Sequence, residues 1–246
     1  MGNQRIKLDF LVHDLKVPLA VIETGIISLL EKREKYGALT DKQIKVLNRV
    51  LRNTILTKRL VNDVLELGRS TEGIISRSTF TLSNFIEQAL MEIFDLTDHD
   101  TAEEIKGCKN LSVLKDTLCK KGILLGIAEE IWCDKVCLDE SKMTQILRNL
   151  LNNALKYRKE RIELNLEIKE DSLFISIRDD GEGIPRDYHE KIFDCYFQLD
   201  SDHSHCVRGH GLGLAGVLIL VEDMGGKLFL DSNVGKGATF SVQVPL

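Results

Sequence analysis

Four groups of residues in this 246-residue chain have types and spacings that could do chemistry. His13 stands beside Asp14 in the run His13-Asp14-Leu15-Lys16-Val17-Pro18. A neutral imidazole can attack phosphorus at neutral pH. A neighbouring carboxylate can accept a hydrogen bond from one ring nitrogen, fixing the tautomer and raising the nucleophilicity of the other. Asn149, Asn153, Lys156 and Tyr157 follow a spacing of i, i+4, i+7 and i+8, which places them on one helical face. An amide oxygen there can ligate Mg²⁺, the lysine can neutralise phosphate, and the tyrosine can pack on a base. Asp179-Asp180-Gly181-Glu182-Gly183-Ile184-Pro185 puts a carboxylate at a strand end, where it can accept from the exocyclic amine of adenine. Its glycines permit a tight turn and a close approach of the base. Gly209, Gly211 and Gly213 precede a helix, whose N-terminal backbone N–H groups bind phosphate without a side chain. A nucleophile and a nucleotide site in one chain point to phosphoryl transfer onto histidine.

Each group alone has a plainer reading. His13 is a surface histidine on a helix, the amide stripe a solvated face, and Asp180-Gly181 an ordinary turn. The spacing GxGxG is not the dinucleotide fingerprint GxGxxG, and no βαβ unit surrounds it.

The elements that must position these groups fall into two blocks. Leu8, Val12, Leu15, Leu19, Ile22, Ile26 and Leu29 alternate spacings of four and three, an a/d heptad over residues 4–33. Val12 takes a seam position, so His13 faces outward. Pro18 removes a helix hydrogen bond and should kink the helix one turn later. Residues 33–41 (REKYGALTD) break the pattern, with Gly37 as a stop and Thr40 or Asp41 as the next cap. A second helix is expected over 41–70, with an apolar face including Ile44, Leu47, Leu51, Ile55, Val61, Val64 and Leu65. Two such helices cannot bury both faces as a lone hairpin, and a dimer forming a four-helix bundle solves that problem. The linker reads as 68–73, dividing the chain into domains 1–72 and 73–246.

In the second block a strand is expected at 75–80, a helix at 82–95, a strand at 122–129 and a strong helix at 139–157, with Ile146, Leu147, Leu150, Leu151 and Leu155 as its core face. Strands at 161–169 and 172–179 alternate apolar and polar residues. A helix follows Gly211, running to about Met224, Gly225-Gly226 ends it, and two final strands cover 227–231 and 238–244. The pattern is that of an α+β domain with an antiparallel sheet. Residues 95–110 are acidic and lack clear periodicity.

Composition narrows the class. With 43% hydrophobic and 29% charged residues the chain reads as soluble and globular, and a net charge of −5 argues against nucleic-acid binding. No apolar run reaches the ~18–20 residues of a membrane helix, and no signal peptide is visible. The expected location is cytoplasmic, whether free or as the cytoplasmic part of a larger membrane-attached sensor. Six cysteines at 108, 119, 133, 137, 195 and 206 are irregularly spaced and read as reduced thiols. Neither Cys133 with Cys137 nor the histidine-rich stretch at His203, His205, Cys206 and His210 is expected to bind metal.

Together and in this order, the segments resemble the sensor histidine kinases of two-component signalling. HDLKVP (13–18) resembles the phosphoacceptor box, NLLNNALKY (149–157) the N box, and DDGEGI (179–184) the first glycine box. EKIFDCYF (190–197) resembles the phenylalanine box and GHGLGLA (209–215) the second glycine box. The resemblance covers nearly the whole chain. It implies a dimeric helical-hairpin domain and a gyrase-like (Bergerat-type) ATP-binding α+β sandwich. It implies a protein-histidine kinase that uses ATP and Mg²⁺, autophosphorylates on His13 with Asp14 as acid/base partner, and passes the phosphoryl group to an aspartate of a response-regulator receiver domain. It implies that Asn153 holds Mg²⁺, that Asn149 and Lys156 lie near the phosphates, and that Asp179 reads adenine. Tyr157, Gly181, Gly183, Ile184, Phe197, Gly209, Gly211, Leu212 and Gly213 would complete the nucleotide pocket, with Phe193 and Phe197 anchoring a lid over about 198–210. Val17 departs from the family: kinase-phosphatases usually carry Thr or Asn there to position a water, and valine has no hydrogen-bonding side chain. The expectation is kinase activity with weak or absent phosphatase activity. The stretch 95–110 is longer than the family usually has between its first helix and next strand, which implies a surface insertion, with a regulatory or partner contact as the sharper alternative. Three rivals stay open: a regulatory nucleotide-binding module, a gyrase- or chaperone-like ATPase, and a structural coiled coil, which explains residues 1–70 only.

Overall fold

The computed structural model describes residues 2–70, 75–95, 98–194, 197 and 213–246, without the side chains of 2–13, 56, 59, 60 and 62–70. The chain divides into two compact units, Met1–Glu72 and Gly73–Leu246. Among the described residues no helix is long and apolar enough to cross a membrane.

The first unit is a helical hairpin. Helix α1 (Gly2–Glu31) runs through Pro18 without ending there. It stops before Gly37, at Glu31, and a single turn, α2 (Arg33–Tyr36), leads to Gly37, whose φ of +87° reverses the chain. Helix α3 (Asp41–Ser70) follows. Its cap is Thr40. The Thr40 Oγ1 accepts the Gln43 N–H at 3.3 Å, and Gln43 Oε1 accepts the Thr40 N–H at 2.8 Å, a reciprocal capping box. Helices α1 and α3 pack on each other, with an ion pair between Glu23 and Lys58 spanning them. The a/d seam is only partly covered: Ile26 is buried, whereas Leu15 and Ile22 are exposed, as are Val17, Val21, Val46 and Val50.

The second unit opens with β1 (Ser78–Thr81), α4 (Leu82–Phe94), α5 (His99–Lys106) and α6 (Leu111–Lys120). Next come β2 (Ile123–Gly126), α7 (Glu129–Trp132), β3 (Lys135–Leu138) and α8 (Glu140–Tyr157). The hairpin β4 (Ile162–Lys169) and β5 (Ser172–Asp179), then α9 (Gly213–Asp223), β6 (Lys227–Ser232) and β7 (Ala238–Pro245) complete it. The main sheet has the order β2-β4-β5-β7-β6, and β1 pairs with β3 in a separate two-stranded ladder. Strand alternation sends Leu164, Leu166, Ile175, Ile177, Phe240 and Val242 to one face, where they are buried against α8 and α9, with α4 packed on α8. Thus the unit is a two-layer α/β sandwich.

Several expectations need correction. Residues 95–110 do not form a surface insertion: they contain α5, whose Thr101, Ala102 and Ile105 are buried and whose body packs on α4. Eight residues span barely two turns, too few for a period to show in sequence. Helix α6 stands where no element is expected, capped by Asn110, whose Oδ1 accepts the Val113 N–H at 3.0 Å. Strand β3 is likewise new, and β1 and β2 are shorter than expected. The sheet is mixed, because β2 pairs with β4 in parallel. That direction depends on the crossover through α7, β3 and α8, which no local pattern encodes. The new region is pinned at Asp98. Its carboxylate accepts the Thr101 hydroxyl at 2.6 Å, the Lys121 ammonium at 3.0 Å and the Thr101 N–H at 3.3 Å, and these donors, in that order, hold its pKa down to about 2.

Candidate functional site

The described part of the site is built where the C-terminus of α8 meets the end of β5. Asp139 caps α8 by accepting the Lys142 N–H at 3.1 Å, and its other oxygen accepts the Ser76 N–H at 2.9 Å. Lys142 also pairs with Asp223 at 3.0 Å, clamping α8 to α9. With the apolar side of α8 locked by Ile146, Leu147, Leu150 and Leu151, the opposite stripe carries Asn149 and Asn153, both half-buried, then Lys156 and Tyr157, both exposed. The Lys156 ammonium lies 4.6 Å from the Tyr157 ring centroid and donates to its hydroxyl at 2.9 Å. The Asn153 amide makes no hydrogen bond among the described residues and offers a hard oxygen of the kind Mg²⁺ accepts. No cluster of three or more His, Cys, Asp or Glu able to hold a metal occurs among the described residues.

Asp179 is the last residue of β5 and is buried. Its Oδ1 accepts the Gly181 N–H at 2.9 Å, closing a turn. Burial pushes its pKa up, and the backbone N–H groups of Gly181 and Ala238 act against that only in part. The glycine of this turn is needed because a Cβ on Gly181 would fall 2.3 Å from the Tyr157 carbonyl oxygen, so the turn lies directly on the end of α8. Gly183 has a φ of +73°, and a Cβ there would meet the Asn233 carbonyl oxygen at 2.1 Å. Ile184, half-buried, packs on the core and donates its N–H to Ser232.

Asp180 has a different task from Asp179. Its two oxygens accept the N–H groups of Lys159, Glu160 and Arg161 at 2.9–3.2 Å, fixing the loop between α8 and β4. Desolvation alone would raise its pKa, but these donors together lower it.

Sequence reasoning missed the support beneath the turn. The buried Ser232 accepts the Ile184 N–H at 2.8 Å and donates to the Gly237 carbonyl at 2.8 Å. The Gly235 N–H donates to the Glu182 carbonyl at 2.6 Å. The β6–β7 turn therefore holds the glycine-rich loop from below. Nothing in the sequence marks Ser232, a lone serine at a strand end. Gly237, with its φ of +78°, is the one signal available, as a glycine just before a strand.

Beyond this loop, Phe193 packs edge-on to Phe240 at 6.5 Å, and Phe197 lies 5.9 Å from Tyr188. Both rings pack on the core. Gly213 begins α9, and a Cβ there would meet nothing within 4 Å among the described residues. Gly209, Gly211 and Leu212 lie outside the described residues, as do the lid over 198–210 and Cys195 and Cys206. In the first unit, His13 and Asp14 lie on α1; Asp14 is exposed, and the His13 side chain is outside the described set. The structure thus brings together Asn149, Asn153, Lys156, Tyr157, Asp179, Gly181, Gly183 and Ile184 within one sandwich.

Comparison with known proteins agrees with this geometry. Residues 138–246 match the family described as Histidine kinase-, DNA gyrase B-, and HSP90-like ATPase. The sensor histidine kinase WalK of Bacillus subtilis (strain 168) is 28% identical over 241 residues, covering 95% of this chain and 35% of WalK. The circadian input-output histidine kinase CikA of Thermosynechococcus vestitus (strain NIES-2133 / IAM M-273 / BP-1) is 30% identical over 247 residues, covering 98% of this chain and 31% of CikA. The chain therefore spans about a third of the length of these two relatives. Full-length ShkA, solved in complex with AMPPNP, shares the fold with a TM-score of 0.65 at 24% identity, covering 97% of this chain and 45% of ShkA. Residues 138–246 are accordingly a domain of the histidine kinase-, gyrase B- and HSP90-like ATPase family, and the chain is a homologue of the sensor histidine kinases.

Proposed function

We propose that the chain is an ATP-dependent protein-histidine kinase, in which residues 1–72 dimerise and carry the phosphoacceptor His13 and residues 73–246 bind ATP. The observation that carries this reading is the junction of α8 with the Asp179 turn. There, a buried carboxylate, a close-packed glycine and a stripe of two amides and a lysine meet in a domain of this ATPase family. Asp179 accepts from the adenine amine, Tyr157 and Ile184 flank the base, and Asn149 and Lys156 lie along the phosphates. Gly181, Gly183, Gly209, Gly211, Leu212 and Gly213 line the pocket, and Phe193 and Phe197 anchor the lid. Asn153 would hold Mg²⁺, which when bound would supply charge neutralisation on the transferred group. ShkA's complex with AMPPNP supports a nucleotide in this fold.

The γ-phosphoryl passes in line to a ring nitrogen of His13. The P–O bond to ADP breaks as the P–N bond forms, and Asp14 accepts a hydrogen bond from the other ring nitrogen. Positioning and charge neutralisation supply most of the catalysis. The phosphoramidate then passes to an aspartate of a receiver domain on a response regulator. The exposed Leu15, Ile22, Val46 and Val50 support a homodimeric four-helix bundle, since they leave apolar surface on the hairpin for a second copy. We place the kinase core in the cytoplasm, where its ATP and its receiver are found.

Incubation of the native chain and His13→Gln with γ-labelled ATP and Mg²⁺ tests the reading. Label that is acid-labile, alkali-stable and absent from His13→Gln is expected. ATP turnover without phosphohistidine favours a gyrase-like ATPase, and nucleotide binding without label or turnover favours a regulatory module.

Val17 is exposed on α1, one helical turn after His13, and holds no water by hydrogen bonding. The native chain is expected to hydrolyse a phosphorylated receiver weakly. Val17→Thr should raise that rate at least about tenfold, within the range for a positioned hydrogen-bonding group. Strong nucleotide-stimulated hydrolysis by the native chain, little changed in Val17→Thr, overturns the assignment.

A further inference from the structure

The sheet face turned away from the helices carries a cavity of about 110 Å³ at the end where β4 begins and β5 stops. Its place follows from strand alternation. Glu163 and Arg178 are register partners, while their neighbours Ile162, Leu164, Ile177 and Asp179 are buried toward the helices. Arg161, Glu163, Arg178, Asp180, Gly235 and Lys236 line the cavity, beside Asp179.

Most of the negative charge in this lining is already engaged. Asp180 accepts three backbone N–H groups, and Glu163 pairs with Arg161 at 3.2 Å. Asp179 is buried and bonded to its own turn. The Arg178 guanidinium and the Lys236 ammonium have no hydrogen bond or ion pair among the described residues. Two unpaired cations, with a third partly neutralised beside them, therefore converge on one concavity. The lining's three cations are matched in number by Glu163, Asp179 and Asp180, so the pull on an anion comes from the two unpaired cationic heads and not from a net positive field. A cavity needs only about 10–15 Å³ to admit one water, so this one holds a tetrahedral oxyanion with water to spare.

We propose that this cavity is a second anion site, taking a small phosphate-type ion between Arg178 and Lys236 with Arg161 alongside, and that it is linked to the nucleotide pocket through the 233–237 turn. The link is short, through one hydrogen bond and one close backbone contact of a three-residue stretch. Gly235 lines the cavity and also donates its N–H to Glu182 of the glycine-rich loop at 2.6 Å. Gly237, two residues on, lies against the Asp179 carbonyl so closely that a Cβ would stand 1.9 Å from it. An anion that orders this turn steadies the strand end that presents Asp179, and by reciprocity a bound nucleotide tightens the anion. The linkage rests on the nucleotide reading above; the anion site does not.

The test uses the whole chain and inorganic phosphate, titrated calorimetrically at constant ionic strength against chloride, with and without ADP. The native chain should bind phosphate saturably. Arg178→Gln/Lys236→Gln should lose at least about tenfold in phosphate affinity, as expected when two charged contacts go. Lys156→Gln should keep that affinity. Saturating phosphate should tighten ADP about fivefold in the native chain and not in the double variant, whose ADP affinity without phosphate stays native. Unchanged phosphate affinity in the double variant overturns the site, and so does its loss in Lys156→Gln, which would put the ion in the nucleotide pocket. If ADP binds to no variant while the double variant still loses phosphate, the anion site stands and only the nucleotide reading falls.

Discussion

Asp179→Asn is expected to weaken adenine-nucleotide binding by at least about a hundredfold while leaving the domain as stable as the native one, or more stable, at neutral pH. The two effects have opposite signs because the proposed adenine contact needs the charge that burial makes costly. Its pKa is raised, first by desolvation. Between the ordinary carboxyl value and this raised one, the folded state holds a proton that the unfolded state has released. Stability therefore falls as pH rises through that window, and the full cost of the buried charge is in place above it. Asparagine removes the charge and keeps an oxygen to accept the Gly181 N–H. Toward adenine, however, its amide presents N–H groups to the donor amine. A charge-assisted hydrogen bond of about 1.5–3 kcal/mol is lost, and a buried donor pair costs about 1–3 kcal/mol more, which makes a hundredfold or greater loss at about 1.4 kcal/mol per factor of ten. For the same reason the native affinity should decline as pH falls toward the raised pKa. Calorimetric ADP titration with thermal unfolding of both proteins checks this. Near-native ADP affinity in Asp179→Asn removes Asp179 from the adenine-reading role, and a variant much less stable than the native chain overturns the cost assigned to the buried charge.

What the sequence made legible here follows from how local each signal is. The a/d heptad of α1, the apolar face of α8 and the alternation of β4 and β5 repeat their period several times within one element. They appear in the structure at nearly the expected bounds. Helices α5 and α6 were not legible, because eight and ten residues carry too few turns, and the burial of Thr101 and Ile105 depends on α4 being alongside. The parallel pairing of β2 depends on a crossover and not on its own four residues. The candidate site divides in the same way. Asn149, Asn153, Lys156 and Tyr157 share one helix and are legible by spacing, and Asp179 with its glycines is legible as a turn. Ser232 is not, because its two hydrogen bonds join segments 48 and 5 residues away. The family resemblance singled out Asp179 over Asp180, but the residue types alone gave no physical reason for the choice. Only the fold shows that Asp179 turns into the sandwich while Asp180 ties down the 159–161 loop.

Gly237→Ala should be the most destabilising conservative change in the β6–β7 turn, and a comparison with Gly235→Ala isolates the cause. Both glycines have φ near +80°, at +78° and +81°, so alanine carries a similar backbone penalty of about 1–2 kcal/mol at each. They differ in surroundings. Among the described residues a Cβ on Gly235 meets nothing within 4 Å, whereas one on Gly237 falls 1.9 Å from the Asp179 carbonyl oxygen and 3.1 Å from the Asp180 Cα. Those neighbours are main chain of a central strand end, so they cannot rotate away as a flexible side chain would. Forcing them apart adds about 1–3 kcal/mol of the kind that overpacking costs. At about 2–4 °C per kcal/mol for a domain of this size, Gly235→Ala should lower the melting temperature by a few degrees and Gly237→Ala by roughly 6–12 °C. The displaced atoms belong to Asp179 itself, so Gly237→Ala should also weaken ADP binding, while Gly235→Ala leaves it near native. Thermal unfolding and ADP titration of the two variants side by side provide the check. Equal effects of the two alanines would mean that backbone conformation alone matters, and that the close approach of the turn to the end of β5 contributes nothing to holding the carboxylate in place.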